Sequence, residues 1–242
     1  MGQNSSQEIL VVEDKADIIC DVFSQGVVHA SQKLKKYLAF DDPQSKLRPG
    51  VDTLIDVFLV NFISFCVEKG VDERISTCKM TKQQSLLLGV DWLWTLFGPD
   101  KLVKLQIAVQ VFQMSDVNGS CVNGPSSPSD LLSSSKEMLL ADELYRSKSR
   151  FEKLEEFCTL VGKDCLGFFI VFGLPGKPKD IRGILLDSVK KENRRSRLSG
   201  ESALQQFILS TDSFLPTREM LENCMSKNNG LGNEGKVYIH FL

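Results

Sequence analysis

Cys165-Leu166-Gly167-Phe168-Phe169-Ile170-Val171-Phe172 is an unbroken apolar run, rich in β-formers and closed by Gly173 and Pro175. It is too short to cross a bilayer, and its length, composition and turn-forming borders predict a buried strand. At the end of the chain, Lys236-Val237-Tyr238-Ile239-His240-Phe241 alternates β-branched and aromatic side chains and predicts another strand. Between these two, 181–189 and 203–209 read equally as helix or strand. Pro216 at a first helical position, followed by 218–227, predicts a helix. The C-terminal half is therefore a mixture of helices with a few strands.

Working back towards the N-terminus, the 3.6-residue period takes over. Apolar residues over 14–40 (Ile18, Ile19, Val22, Phe23, Val27, Ala30, Leu34, Leu38) lie on one helical face. The same spacing recurs over 52–69, with Gly70 placed to terminate the helix. A short piece at 72–78 leads to Thr81-Lys82-Gln83-Gln84, a capping box opening a helix that runs to Gly98-Pro99. Asp100 then caps a helix over 101–113, apolar nearly all round and so buried on several sides. Ser, Asn, Gly and Pro dominate 115–135, which predicts a flexible linker, and helix returns over 136–161. The expected organisation is a flexible N-terminus (1–13), a helical part (14–114), the linker (115–135) and a mixed α/β part (136–242), packed with 14–114 as one globular unit. The fold class is α+β, mainly α-helical.

A chain of 242 residues can bury about 70% of its unfolded surface. Lys plus Arg is 29 and Asp plus Glu 31, a net charge of −2, which leaves no electrostatic footprint for nucleic acid. Seven cysteines, mostly inside apolar runs and without a C-x-x-C pair, are expected to be reduced core thiols of a cytosolic protein. No apolar run reaches membrane-spanning length. The start, Met1-Gly2-Gln3-Asn4-Ser5-Ser6, is not a secretory signal. It satisfies M-G-x-x-x-[ST], making Gly2 a candidate for myristoylation. One acyl chain holds a protein to a bilayer only reversibly, so a second contact is required.

Catalytic machinery is sparse. The two histidines, His29 and His240, stand near no cysteine or paired acid, so no metal site is expected, and no nucleotide loop or nucleophile elbow occurs. No cofactor is predicted. The loop Gly173–Asp180, with its prolines, glycines and lysines, reads as a rigid turn or as an anion cradle. The basic run 190–197 reads as a solvated helix end or a lipid contact. In Asp91-Trp92-Leu93-Trp94-Thr95-Leu96-Phe97, a helix would turn the two tryptophans about 200° apart, exposing one for recognition unless the helix is sandwiched between layers.

Several stretches together resemble the Rab-fifteen effector family. They include His29-Ala30-Ser31-Gln32-Lys33-Leu34-Lys35-Lys36-Tyr37-Leu38, Glu68-Lys69-Gly70-Val71-Asp72-Glu73, Asp91-Trp92-Leu93-Trp94-Thr95, Phe151-Glu152-Lys153-Leu154-Glu155-Glu156-Phe157-Cys158, and Phe172-Gly173-Leu174-Pro175-Gly176-Lys177-Pro178-Lys179-Asp180. The resemblance implies a non-enzymatic adaptor that binds GTP-loaded Rab GTPases on early or recycling endosomes and supports receptor recycling. Its implied setting is the cytoplasmic face of those membranes, with peripheral attachment. The nominated contact residues are Trp92, Trp94, Phe97, Phe23 and Val27. Two other readings remain open: an enzyme using Cys165 with His240, and a GTPase regulator using Arg182 or Arg74 as a finger.

Overall fold

The computed structural model describes residues 4–38, 40–44, 46–114, 148–196, 198, 200–225 and 236–241, with backbone alone for 4–17 and 193–196. Gly2, the predicted linker 115–135 and the predicted helical stretch 136–147 lie outside the described residues.

Two long helices open the chain, α1 (Asn4–Leu34) and α2 (Val51–Glu68), followed by strand β1 (Ile75–Lys79) and the short helix α3 (Lys82–Leu88). Strands β2 (Trp92–Phe97) and β3 (Val103–Gln113) come next, then helix α4 (Arg150–Val161) and strands β4 (Cys165–Leu174) and β5 (Lys177–Leu185). Helices α5 (Leu186–Ser196) and α6 (Gly200–Ser210), strand β6 (Phe214–Pro216), helix α7 (Thr217–Met225) and strand β7 (Tyr238–His240) complete the order.

The strands form one seven-stranded sheet in the order β1-β2-β3-β4-β5-β7-β6. Its pairs are antiparallel except β3 with β4, in register from Gln106↔Cys165 to Gln113↔Phe172, and β6 with β7. Alternate residues face opposite sides, and each side has its own core. On one, Trp92, Trp94, Ile107, Val109, Phe168 and Ile170 pack under α1, α2 and α7. On the other, Ala108, Phe169, Val171 and Ile184 pack under α4, α5 and α6. The result is a three-layer α/β/α sandwich.

This corrects the expectation of a mainly helical chain with strands confined to its C-terminal half. Strands β1, β2 and β3 lie in the first half, where 72–78, 91–97 and 101–113 had been read as a short piece and as helices. The error at 103–113 has a clear cause. Val103, Leu105, Ile107, Val109 and Val111 alternate with Lys104, Gln106, Ala108 and Gln110, a period-2 pattern of β-branched and aliphatic residues that marks a strand and that the helical reading passed over. The Thr81 capping box does form, with Gln84 N–H donating to the Thr81 hydroxyl at 3.2 Å and the Gln84 side chain accepting from Thr81 N–H at 2.9 Å. Its helix ends at Gly89, where φ is +69° and a Cβ would stand 2.5 Å from the Arg150 carbonyl oxygen. Only glycine meets both the conformation and the close approach.

A polar junction locks this corner. Asp91 accepts from Ser85 Oγ at 2.7 Å, Arg150 Nη2 at 2.7 Å and Val111 N–H at 2.7 Å. Gln110, buried in β3, donates to the carbonyls of Gly89 at 2.6 Å and Arg150 at 2.9 Å. Buried polar groups are tolerable when satisfied in this way. On the opposite face, α1 lies close against α2 because Gly26 leaves room for the Phe62 ring, 3.1 Å from where a Cβ would be.

Trp94→Ala should therefore act on stability: it empties the largest side chain of an aromatic cluster and should cost about 3–5 kcal/mol. Urea unfolding followed by circular dichroism measures it, and an unshifted midpoint would contradict the burial.

Candidate interaction surface

Of the five nominated contact residues, Trp92, Trp94, Phe23 and Val27 are buried. A strand places residues two apart on the same face, so Trp92 and Trp94 both point into the core, at 0% and 1% exposure. Their rings stand 5.3 Å apart in an edge-to-face arrangement, and Trp94 also meets Phe23 at 4.9 Å and Phe62 at 5.0 Å. Phe23 and Val27 are buried beneath them, and Phe97 is half-buried at the end of β2. The 200° separation argued for a helix does not arise. These residues hold α1 and α2 onto the sheet.

What α2 leaves outside is more informative. Leu54, Ile55, Phe58, Leu59, Phe62 and Cys66 face inward. Val60, Ile63 and Val67, spaced i, i+3 and i+7, form an aliphatic stripe on the other side, exposed by 63%, 41% and 56%. Among the described residues no element covers this stripe. Charges rim it: Asp56 pairs with Lys79 of β1, Asp52 lies 3.8 Å from Lys82, and the Lys69 ammonium sits 5.4 Å from the Phe65 ring centre. Beside it runs β1, the end strand of the sheet, whose outer backbone groups have no partner strand among the described residues. An aliphatic centre with a charged rim has the composition of a protein-binding face. The sequence carried this signal in α2 itself, where apolar residues extend around more of the helix than one buried face requires.

The chemical alternatives are dispersed by the fold. His240 pairs with Arg182, and Arg182 with Val171, so Cys165 lies six residues further along β4, roughly 20 Å away at the rise of a strand. Arg182 donates to the Thr211 carbonyl at 3.0 Å, pairs with Asp180 at 3.3 Å and stacks 4.0 Å over the Tyr238 ring. Arg74 donates to the Phe97 carbonyl at 2.9 Å. Arg182 is thus engaged on three sides, while Arg74 is held through its Nε alone. His29 packs its ring 5.2 Å from Phe65. No group of three or more His, Cys, Asp or Glu side chains that could hold a metal occurs among the described residues. The Gly173–Asp180 loop is a tight hairpin, Leu174 pairing with Lys177 across Pro175 and Gly176.

A cleft of about 680 Å³ at one end of the sheet gathers Cys158, Cys165 and Cys224 beside Lys163 and Lys190. Its thiols differ: the hydrogen bond with Cys158 lowers Cys165 below the ordinary thiol value, while the other two are poor nucleophiles. The hydrogen bond with Cys165, together with burial, holds Cys158 well above the ordinary thiol value, and burial with Asp187 nearby pushes Cys224 up to about 11. Elsewhere, burial and the charge of Asp72 push Cys66 up to about 12.

A sandwich that buries both tryptophans and exposes an aliphatic helix face has a surface suited to binding another protein. The family described as Rab15 effector matches residues 4–241. The mouse protein named Rab15 effector protein is 44% identical over 244 residues, covering 100% of both chains. The chain belongs to the Rab15 effector family.

In native protein at about pH 8, a maleimide probe should label exposed Cys78, should label Cys224 more slowly because its thiol is held protonated, and should reach buried Cys66 only after unfolding. The folded-state pKa of Cys66 lies above its ordinary value of 9.0, so only the unfolded chain ionises there first, and stability should fall as pH rises from 9.0 towards about 12. Mass spectrometry of the labelled sites and melts across that window measure both effects. Rapid native labelling of Cys66 would contradict them.

Proposed function

We propose that this chain is an effector that binds GTP-loaded Rab GTPases on early or recycling endosomes and supports the return of receptors to the cell surface. Membership in the Rab15 effector family over 4–241 carries the reading. An effector reads nucleotide state by binding the ordered switch segments of the GTP form more tightly than their mobile GDP form. The α2 stripe is the contact surface assigned to that partner. Val60, Ile63 and Val67 are rigidly presented by a helix whose inner face is anchored by Phe58 and Phe62, so little ordering entropy opposes binding. Attachment to the membrane is peripheral, with acylation of Gly2 as one weak contact and the GTPase as another.

Capture of a panel of Rab proteins, loaded with a GTP analogue or with GDP, tests the reading. Recovery is expected with the GTP analogue alone, and equal recovery in both states would sink it. Ile63→Asp should weaken capture by about tenfold or more while leaving the melting temperature within a few degrees. Unchanged affinity in that variant moves the contact surface elsewhere without touching the family assignment.

A further inference from the structure

One end of the molecule concentrates positive charge in a chain whose net charge is −2. A shallow groove of about 490 Å³ is lined by Lys35 from the turn after α1, Lys177 and Lys179 from β5, and Tyr238 and His240 from β7. Lys177 and Lys179 are two apart on a strand and so share a face. No carboxylate among the described residues pairs with these three lysines. Of the acids nearby, Asp180 is paired with a cation, while Asp41 and Asp42 keep their negative charge on the neighbouring loop, so the three lysines and Arg48 outnumber them. Asp180 is held by Arg182 at 3.3 Å. Asp42 accepts the backbone N–H groups of Gln44, Lys46 and Leu47 at 3.1, 2.8 and 2.9 Å, which keeps its carboxyl below the ordinary range.

Next to this groove, across Pro178, a smaller cavity is lined by Tyr37, Phe40, Arg48 and Pro175. Tyr37 and Phe40 are 44% and 43% exposed, and Leu47, on the loop fastened by Asp42, is 65% exposed. Cations set beside protruding aromatic and aliphatic side chains are the pattern of a surface seated at the water–lipid boundary, where rings settle at headgroup depth and ammonium groups meet phosphates. An acidic peptide would satisfy the lysines but would leave Phe40 and Leu47 without a function, since they stand on a separate loop from the groove.

We propose that this end of the molecule docks on anionic phospholipid, with Lys35, Lys177 and Lys179 on headgroup phosphates and Tyr37, Phe40 and Leu47 entering the interfacial layer. The proposal deepens the peripheral attachment given above by naming its surface and its ligand. The docking face is built from the turn after α1, the described residues of the loop that follows it, and the β4–β5 hairpin. The aliphatic stripe of α2 lies outside that set and stays available to a GTPase.

Co-sedimentation of the full-length, non-acylated chain with phosphatidylcholine vesicles, with and without phosphatidylserine, tests it. Binding is expected to the phosphatidylserine vesicles alone and to weaken with added salt. The triple variant Lys35→Glu, Lys177→Glu, Lys179→Glu should lose about a hundredfold or more in partitioning, at roughly fivefold per surface charge. Phe40→Ser with Leu47→Ser should lower binding while melting like the parent, since both residues are exposed. Failure to bind phosphatidylserine vesicles, equal binding to neutral ones, or a triple variant that sediments like the parent would overturn the proposal. So would a triple variant that keeps its vesicle binding but no longer captures a GTP-loaded Rab in solution, because the patch would then be a protein contact. Ile63→Asp separates the two readings: it should lose the Rab and keep the vesicles.

Discussion

The parallel pairing of β3 with β4 is the constraint on which the rest depends. It joins segments separated in sequence by 114–164, and its register, from Gln106↔Cys165 to Gln113↔Phe172, sets which side chains face each core. A shift of one residue would exchange Ile107 and Val109 with Ala108 and Gln110, turning the buried amide of Gln110 away from its two carbonyl partners. Parallel strands need a long crossover and cover on both faces. Helix α4 lies within that crossover and supplies Phe151 and Leu154 to the second core.

From that register the two helical layers acquire different tasks. On the α4 side, Asp91, Arg150 and Gln110 fasten helix to sheet through hydrogen bonds, and the ion pair of Asp91 with Arg150 is half-sheltered, which lessens solvent screening. The α1–α2 side is held almost wholly by apolar contact, through Phe23, Phe58, Phe62 and the two tryptophans. Among the described residues nothing packs on the outer stripe of α2. Exposed aliphatic residues in regular helical spacing signify a partner more readily than single exposed side chains do.

A protein of this kind spends its chemistry on surfaces. The tryptophans that a binding protein might offer to a partner are used here to seat the helices, while small aliphatic residues are left to the outside. Cysteine follows the same economy in part: Cys20, Cys66 and Cys165 are buried as compact hydrophobes, and Cys66, Cys158 and Cys224 are held above the ordinary thiol value.

The sequence by itself determined the elements with a clean period. The inner faces of α1 and α2, the Thr81 capping box and the strand at 165–172 were all legible, because local pattern and local hydrogen bonding decide them. The absence of familiar catalytic motifs and the family resemblance were legible too. The alternation of Val103, Leu105, Ile107, Val109 and Val111 with polar or small residues made β3 legible as a strand, whereas only the tertiary structure decided 92–97, which is apolar at nearly every position and took its period from pairing between β1 and β3. The fate of Trp92 and Trp94 turned on that one change of period. At 100° per residue they diverge, and at 180° they share a face, so both belong to the floor of the core.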